Sequence, residues 1–79
     1  MGKNVDARAN DIATNIRVEL ARRHTTQTKL ARHLNLSGPA ITRRMAGSVA
    51  WRLTELNAVA DYLAIPLNTL INGNEEVAS

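Results

Sequence analysis

The 79-residue chain contains no cysteine, which excludes disulfide staples and thiolate metal sites and suits a reducing compartment. Aromatic side chains are nearly absent too: Trp51 and Tyr62 are the only two, so the core must be aliphatic. No apolar run approaches the roughly 20 residues that span a bilayer, and Met1–Asp11 is polar rather than the apolar segment of an export signal. A cytoplasmic protein is therefore expected. The histidines are limited to His24 and His33, with no carboxylate cluster beside them, and neither a glycine-rich phosphate loop nor a nucleophile with a base at motif spacing occurs. These absences point away from metal binding, cofactors, small-molecule substrates and catalysis. The most telling absence is of one sign of charge. No acidic residue lies between Glu19 and Glu55, whereas Arg22, Arg23, Lys29, Arg32, Arg43, Arg44 and Arg52 all fall within that window.

A net charge of +3 and a pI near 10.2 mean attraction to polyanions, which concerns partners and not fold. The length lies below the roughly 100 to 200 residues typical of one domain, so a single small core is expected. A chain of this size buries about 60% of the surface it exposes when unfolded, and its helices must pack well.

Apolar spacing predicts five helices and no strand. In the first, from about Asp6 to Arg23, Ala9, Ile12, Ala13, Ile16 and Leu20 recur at three- and four-residue steps, with Arg8, Asp11, Asn15, Arg17 and Glu19 pointing elsewhere. Val18 lies off that stripe and is assigned to packing on the C-terminal part of the fold. Thr25 and Thr26 are good N-caps for a second helix over Gln27–Leu34. Asn35 stands where the chain must reverse through positive φ, a conformation that Asn tolerates because its side chain can bond the local backbone. Ser37 caps a third helix over Gly38–Met45, with Pro39 in the first turn where its missing N–H costs nothing, and Gly47 stops it. After a loop come Leu53, Leu56, Val59, Ala60 and Leu63, a fourth stripe with Asn57, Asp61 and Glu55 on its wet side and Pro66 at its end. Leu67, Leu70 and Ile71 form the fifth helix, closed by Asn72-Gly73. The domain core is thus expected over 6–73, with frayed ends at 1–5 and 74–79.

Two helices crossing steeply with almost nothing between them need a small residue at the crossing and apolar residues around it. Ala31 meets the first demand; Leu30, Leu34, Leu36, Ile41 and Met45 meet the second. The spacing from Ala31 through Asn35 to Ile41, followed by Leu53–Leu63 and Ile65-Pro66-Leu67, resembles the phage Cro and repressor type of helix-turn-helix DNA-binding domain, the XRE-like group. The resemblance covers roughly residues 9 to 73. It implies an all-α, five-helix lambda-repressor-like fold whose third helix enters the major groove of an operator in double-stranded DNA, in a bacterial cytoplasm at the nucleoid.

On that resemblance, Ser37, Pro39, Thr42 and Arg43 are the candidates for base reading. Arg43 stands first, because its planar fork can donate to both O6 and N7 of guanine, while Pro39 and the Thr42 methyl offer only apolar contact to a thymine methyl. Gln27, Lys29, Arg32, Arg44, Ser48 and Arg52 are candidates for the DNA backbone, and Gly38 for close approach. Two departures from the family pattern are Asn35, where Gly is usual, and Arg44, where an apolar residue is usual. Either Met45 takes the inward place and Arg44 swings out to a phosphate, or the helix is rotated at its end.

Bland readings stand beside these. Arg22 and Arg23 can simply complement the C-terminal end of the first helix. His24 and His33 read as surface residues, His33 beside the turn. Trp51 reads as an anchor of the loop before the fourth helix, with its indole N–H reaching a phosphate as the alternative, and Tyr62 as a cover of the core edge with a wet hydroxyl. An antitoxin or restriction-controller protein, which binds a protein partner as well as its own promoter, is the rival to a simple regulator. A homodimer on DNA would read half-sites about 34 Å apart, one helical turn, or a multiple of that.

Overall fold

The computed structural model describes the backbone of residues 3–72 and the side chains of residues 11–72. Five α-helices and no strand make up these residues: α1 (Lys3–Arg22), α2 (Gln27–Leu34), α3 (Gly38–Met45), α4 (Leu53–Leu63) and α5 (Leu67–Asn72). Helix α1 packs against α5 and α3, while α2 packs against α3 and α4. No helix among them is long and apolar enough to cross a membrane. The domain is an all-α bundle in which α2, a short turn and α3 form the helix-turn-helix.

One core joins all five helices. Ile12, Ile16 and Leu20 of α1 meet Leu30 and Ala31 of α2, Ile41 and Met45 of α3, and Leu56, Val59, Ala60 and Leu63 of α4, with Leu70 of α5 fully buried. Burying a Leu or Ile side chain of this kind stabilises by about 1.5 to 3 kcal/mol. Such burial, more than propensity, keeps helices of 6 to 11 residues folded. The apolar stripes predict this core with two exceptions. Val18, which lies off the α1 stripe, is 41% exposed, and Leu53, in the first turn of α4, is 62% exposed.

The helix boundaries follow local chemistry. The Thr26 Oγ1 accepts from the Lys29 N–H at 3.1 Å, and the Ser37 Oγ accepts from the Ala40 N–H at 3.2 Å. Each satisfies a donor that the first turn cannot pair internally. Four helices end in the same backbone pattern, in which a residue at positive φ lets its own amide and the next one turn back onto the final turn. That residue is His24 after α1 (φ 54°), Asn35 after α2 (φ 59°), Gly47 after α3 (φ 82°) and Ala64 after α4 (φ 58°). The returning bonds include Leu36 N–H to Ala31 O at 2.9 Å and Ile65 N–H to Ala60 O at 3.0 Å. Helix α4 therefore stops at Ala64, two residues before the proline that was expected to end it. Pro66 instead follows the turn, a common place for a residue that cannot continue a helix.

Helix α1 begins at Lys3 rather than Asp6, since Lys3, Asn4 and Val5 include no helix breaker. The place of the Ala9 side chain on the α1 stripe, the outward direction of Arg8, the closing role of Gly73, and the fraying of residues 1–2 and 74–79 lie outside the described residues.

Candidate functional site

Helix α3 is divided lengthwise. Ile41 and Met45 are buried, while Gly38, Pro39, Thr42 and Arg43 are exposed, as is the cap Ser37 just before them. The period of the helix makes the division: 41 and 45 face the core together, and 38, 39, 42 and 43 turn away. Lys29 and Arg32 of α2 are exposed, as are Ser48 and Arg52 on the loop that leaves α3. Gln27 is half-buried at the start of α2. Between α2 and α3 runs an open groove of about 360 Å³, lined by Gln27, Ala31, Arg32, Gly38, Ile41 and Thr42 among others. That groove brings Gln27, Arg32, Gly38 and Thr42 of the sequence-predicted residues together, while Ser37, Pro39, Arg43, Lys29, Ser48 and Arg52 are exposed.

The exception is Arg44. Met45 does take the inward position, being 3% exposed, but the Arg44 side chain does not swing out to solvent. Its Nε donates to the Glu55 Oε1 at 3.0 Å and its Nη1 to the Ala40 carbonyl at 3.0 Å. The two side chains are only 13% and 15% exposed, so this is a shielded ion pair between α3 and α4 rather than a phosphate contact in waiting. The position at which the resemblance to Cro and repressor domains leads one to expect an apolar residue is filled here by a charge that Glu55 neutralises. Glu55, expected on the wet side, is instead the acceptor that makes Arg44 tolerable there.

Glu55 also accepts from the Arg52 N–H at 2.9 Å, closing the first turn of α4. Burial acts to raise its pKa, yet the hydrogen bonds from Arg44 and the Arg52 amide, with both guanidinium charges nearby, hold it below its ordinary 4.5.

Charges elsewhere are also paired. Glu19 is not on a wet face: it is 6% exposed and takes the guanidinium groups of both Arg22 and Arg23. Among the described residues, Lys29, Arg32, Arg43 and Arg52 form no ion pair. Arg17, although exposed, reaches across to α3, its Nη2 donating to the Met45 carbonyl at 2.8 Å and so closing the C-terminal end of α3. The Asn15 Nδ2 donates to the Leu70 carbonyl at 2.8 Å, tying α1 to α5. The Glu19-to-Arg23 spacing of four and the Glu55 position in the first turn of α4 were legible signals for two of these contacts. Nothing local in the sequence signals Arg17 to Met45.

The aromatic residues serve structure. The Tyr62 hydroxyl and the Thr25 hydroxyl share a hydrogen bond at 2.9 Å, and the Tyr62 ring meets that of His33 with centroids 4.9 Å apart. Trp51 packs against the core, with its Nε1 buried and without a hydrogen-bond partner among the described residues. It does not present that N–H outward to a phosphate. No group of three or more metal-ligating side chains occurs among the described residues.

Gly38 behaves differently from the other turn residues. A Cβ built on it meets nothing within 4 Å, and its φ lies outside the positive region. Neither the backbone nor the neighbours within this chain require glycine there.

The BetR domain family matches residues 6–79, and the chain belongs to that family. No curated protein and no solved structure matches the chain.

Proposed function

We propose that this chain is a sequence-specific double-stranded DNA-binding transcriptional regulator, of the Cro or repressor kind, that occludes a promoter by laying α3 in the major groove. One observation carries the reading. The outer face of α3 is free of internal packing and ion pairing, and it is flanked by cations that no carboxylate among the described residues neutralises. A charged surface with no internal partner suits an external polyanion, and a protruding helix of this size suits a duplex groove.

In this reading Arg43 reads a guanine edge, and Pro39 and Thr42 supply apolar contact beside it. Lys29, Arg32, Ser48 and Arg52, together with the Gln27 end of α2, hold phosphates and set the register. Arg44 is removed from the phosphate set by its bond to Glu55. Gly38 gains a reason that the chain itself does not supply, because a missing Cβ lets the duplex backbone come close to the start of α3. The protein works without a cofactor and without a catalytic step.

Selection of bound duplexes from a random pool tests the proposal. Recovery of a consensus is expected, with affinity falling on added salt by a log-log slope of about −0.9 per phosphate contact. Repeating the selection with Arg43→Ala should flatten preference at one base pair and cost about 1 to 3 kcal/mol on the consensus duplex. Binding that barely responds to salt, or a pool that yields no consensus, would end the proposal.

A further inference from the structure

Helix α3 has only eight residues, and its outward residues Pro39, Thr42 and Arg43 are exposed. Its inner residues Ile41 and Met45 hold it by dispersion, which resists separation far more than rolling or sliding, and Arg17 adds one hydrogen bond to the Met45 carbonyl at its far end. Directional contacts must set its pitch, and Glu55 supplies them at a junction. A single carboxylate oxygen, Oε1, accepts from the Arg44 Nε at 3.0 Å and from the Arg52 backbone N–H at 2.9 Å. Arg44 in turn holds the Ala40 carbonyl one turn back along α3, at 3.0 Å. That oxygen therefore links three pieces of chain: the last turns of α3, the end of the loop bearing Ser48, and the first turn of α4.

The sequence neighbours of these groups are the functional candidates. Arg43 precedes Arg44, and the Arg52 whose amide is held is a residue whose side chain is exposed and forms no ion pair among the described residues. Fixing Arg44 and the Arg52 amide to one atom fixes the offset between a base-reading side chain and a phosphate-binding one. Contact energy for a wrong offset is lost at the base edges, where donor and acceptor geometry is strict, much more than at phosphates, which attract at any offset.

We infer that Glu55 is a positioning residue for sequence discrimination: through Arg44 and the Arg52 amide it holds α3 and the following loop in register, so that it governs the ratio of specific to non-specific binding rather than attraction to DNA as such. The inference rests on the DNA-reading proposal above and deepens it.

The test compares wild type, Glu55→Gln and Arg44→Lys on the duplex recovered by selection and on a scrambled duplex of the same composition. Folded fraction is measured by circular dichroism at the assay temperature and used to correct each constant. Gln keeps an oxygen for the Arg52 N–H but loses the charge that holds Arg44, whereas Lys keeps the charge but loses the fork that spans Ala40 and Glu55. Glu55→Gln is expected to lower the ratio of the two affinities about tenfold, the worth of one good base contact, while binding to the scrambled duplex stays equal or tightens because a negative charge is gone. Arg44→Lys should lower the same ratio by less, and it decides the matter alone if Glu55→Gln is unfolded. A ratio kept by both variants, or an equal loss on both duplexes after correction, would overturn the inference and leave the DNA-reading proposal intact. A wild-type protein that does not distinguish the duplexes would bring down that proposal, and this inference with it.

Discussion

Two sets of cations share this small domain and are treated in opposite ways. On α1 and on the inner flank of α3, Arg22, Arg23 and Arg44 are matched to Glu19 and Glu55, and Arg17 is spent on the end of α3. On the outer side, Lys29, Arg32, Arg43 and Arg52 have no carboxylate partner among the described residues. All but Arg17 fall within, and none could be sorted by, the stretch between Glu19 and Glu55 that lacks acids. The acids at its two borders do the sorting, since each folds back onto basic residues of its own vicinity or of the facing helix. A count of cations therefore overstates the charge available to a partner, and the pairing pattern shows where the remainder is displayed.

The contrast can be broken most severely at its paired half. Glu55→Ala leaves the Arg44 guanidinium shielded and uncompensated. A loss of about 2 to 3 kcal/mol is expected, below the full cost of a deeply buried pair because both groups keep some solvent. Chemical denaturation at neutral pH measures it. The same residue predicts a pH response. Its pKa is lower in the folded chain than the ordinary 4.5, so its contribution is complete above that value and is lost as pH falls through the folded-state pKa. Denaturation curves of wild type and Glu55→Gln should therefore converge at low pH, and a constant gap would contradict the ion-pair account.

The unpaired half is probed more gently. Lys29→Ala should weaken all duplexes several-fold without changing the preferred sequence and should reduce the salt slope by about 0.9, with melting nearly unchanged. A changed consensus would move Lys29 from the backbone to the bases. Gly38→Ala should leave stability equal or raise it by up to about 1 kcal/mol, since the site is open and helical. Duplex binding should nevertheless weaken, and full binding by this variant would remove the close-approach role. The smallest effect belongs to Arg22→Ala. Its side chain is 58% exposed and its charge is shared with Glu19, so stability should shift by no more than about 0.5 kcal/mol and duplex affinity by less than the Lys29 change.

Much of the fold could be read from residue spacing because helix boundaries here depend on neighbours in sequence. Ser37 and Thr26 cap where hydroxyls should cap, and Asn35 takes the positive φ that its position demands. The ends at His24 and Ala64 were not legible, because neither residue prefers that conformation and the surrounding packing imposes it. The exposed face of α3 also followed from periodicity, with Thr42 and Arg43 opposite Ile41 and Met45. The directions of the long polar side chains did not. Arg17, Arg44 and Tyr62 each reach a hydrogen-bond partner 11 to 37 positions away, and Glu55 receives one of them, so each is settled by tertiary proximity that no local pattern carries.

Helix α3 is secured at its start by Ser37, at its end by Gly47 and Arg17, and along its inner side by Ile41 and Met45. Nothing in that fastening uses the side chains of Pro39, Thr42 or Arg43. Those three positions are thus free to vary at little thermodynamic penalty, and on the proposed reading a lineage carrying this scaffold can change the address it reads by single substitutions while the protein goes on folding as before.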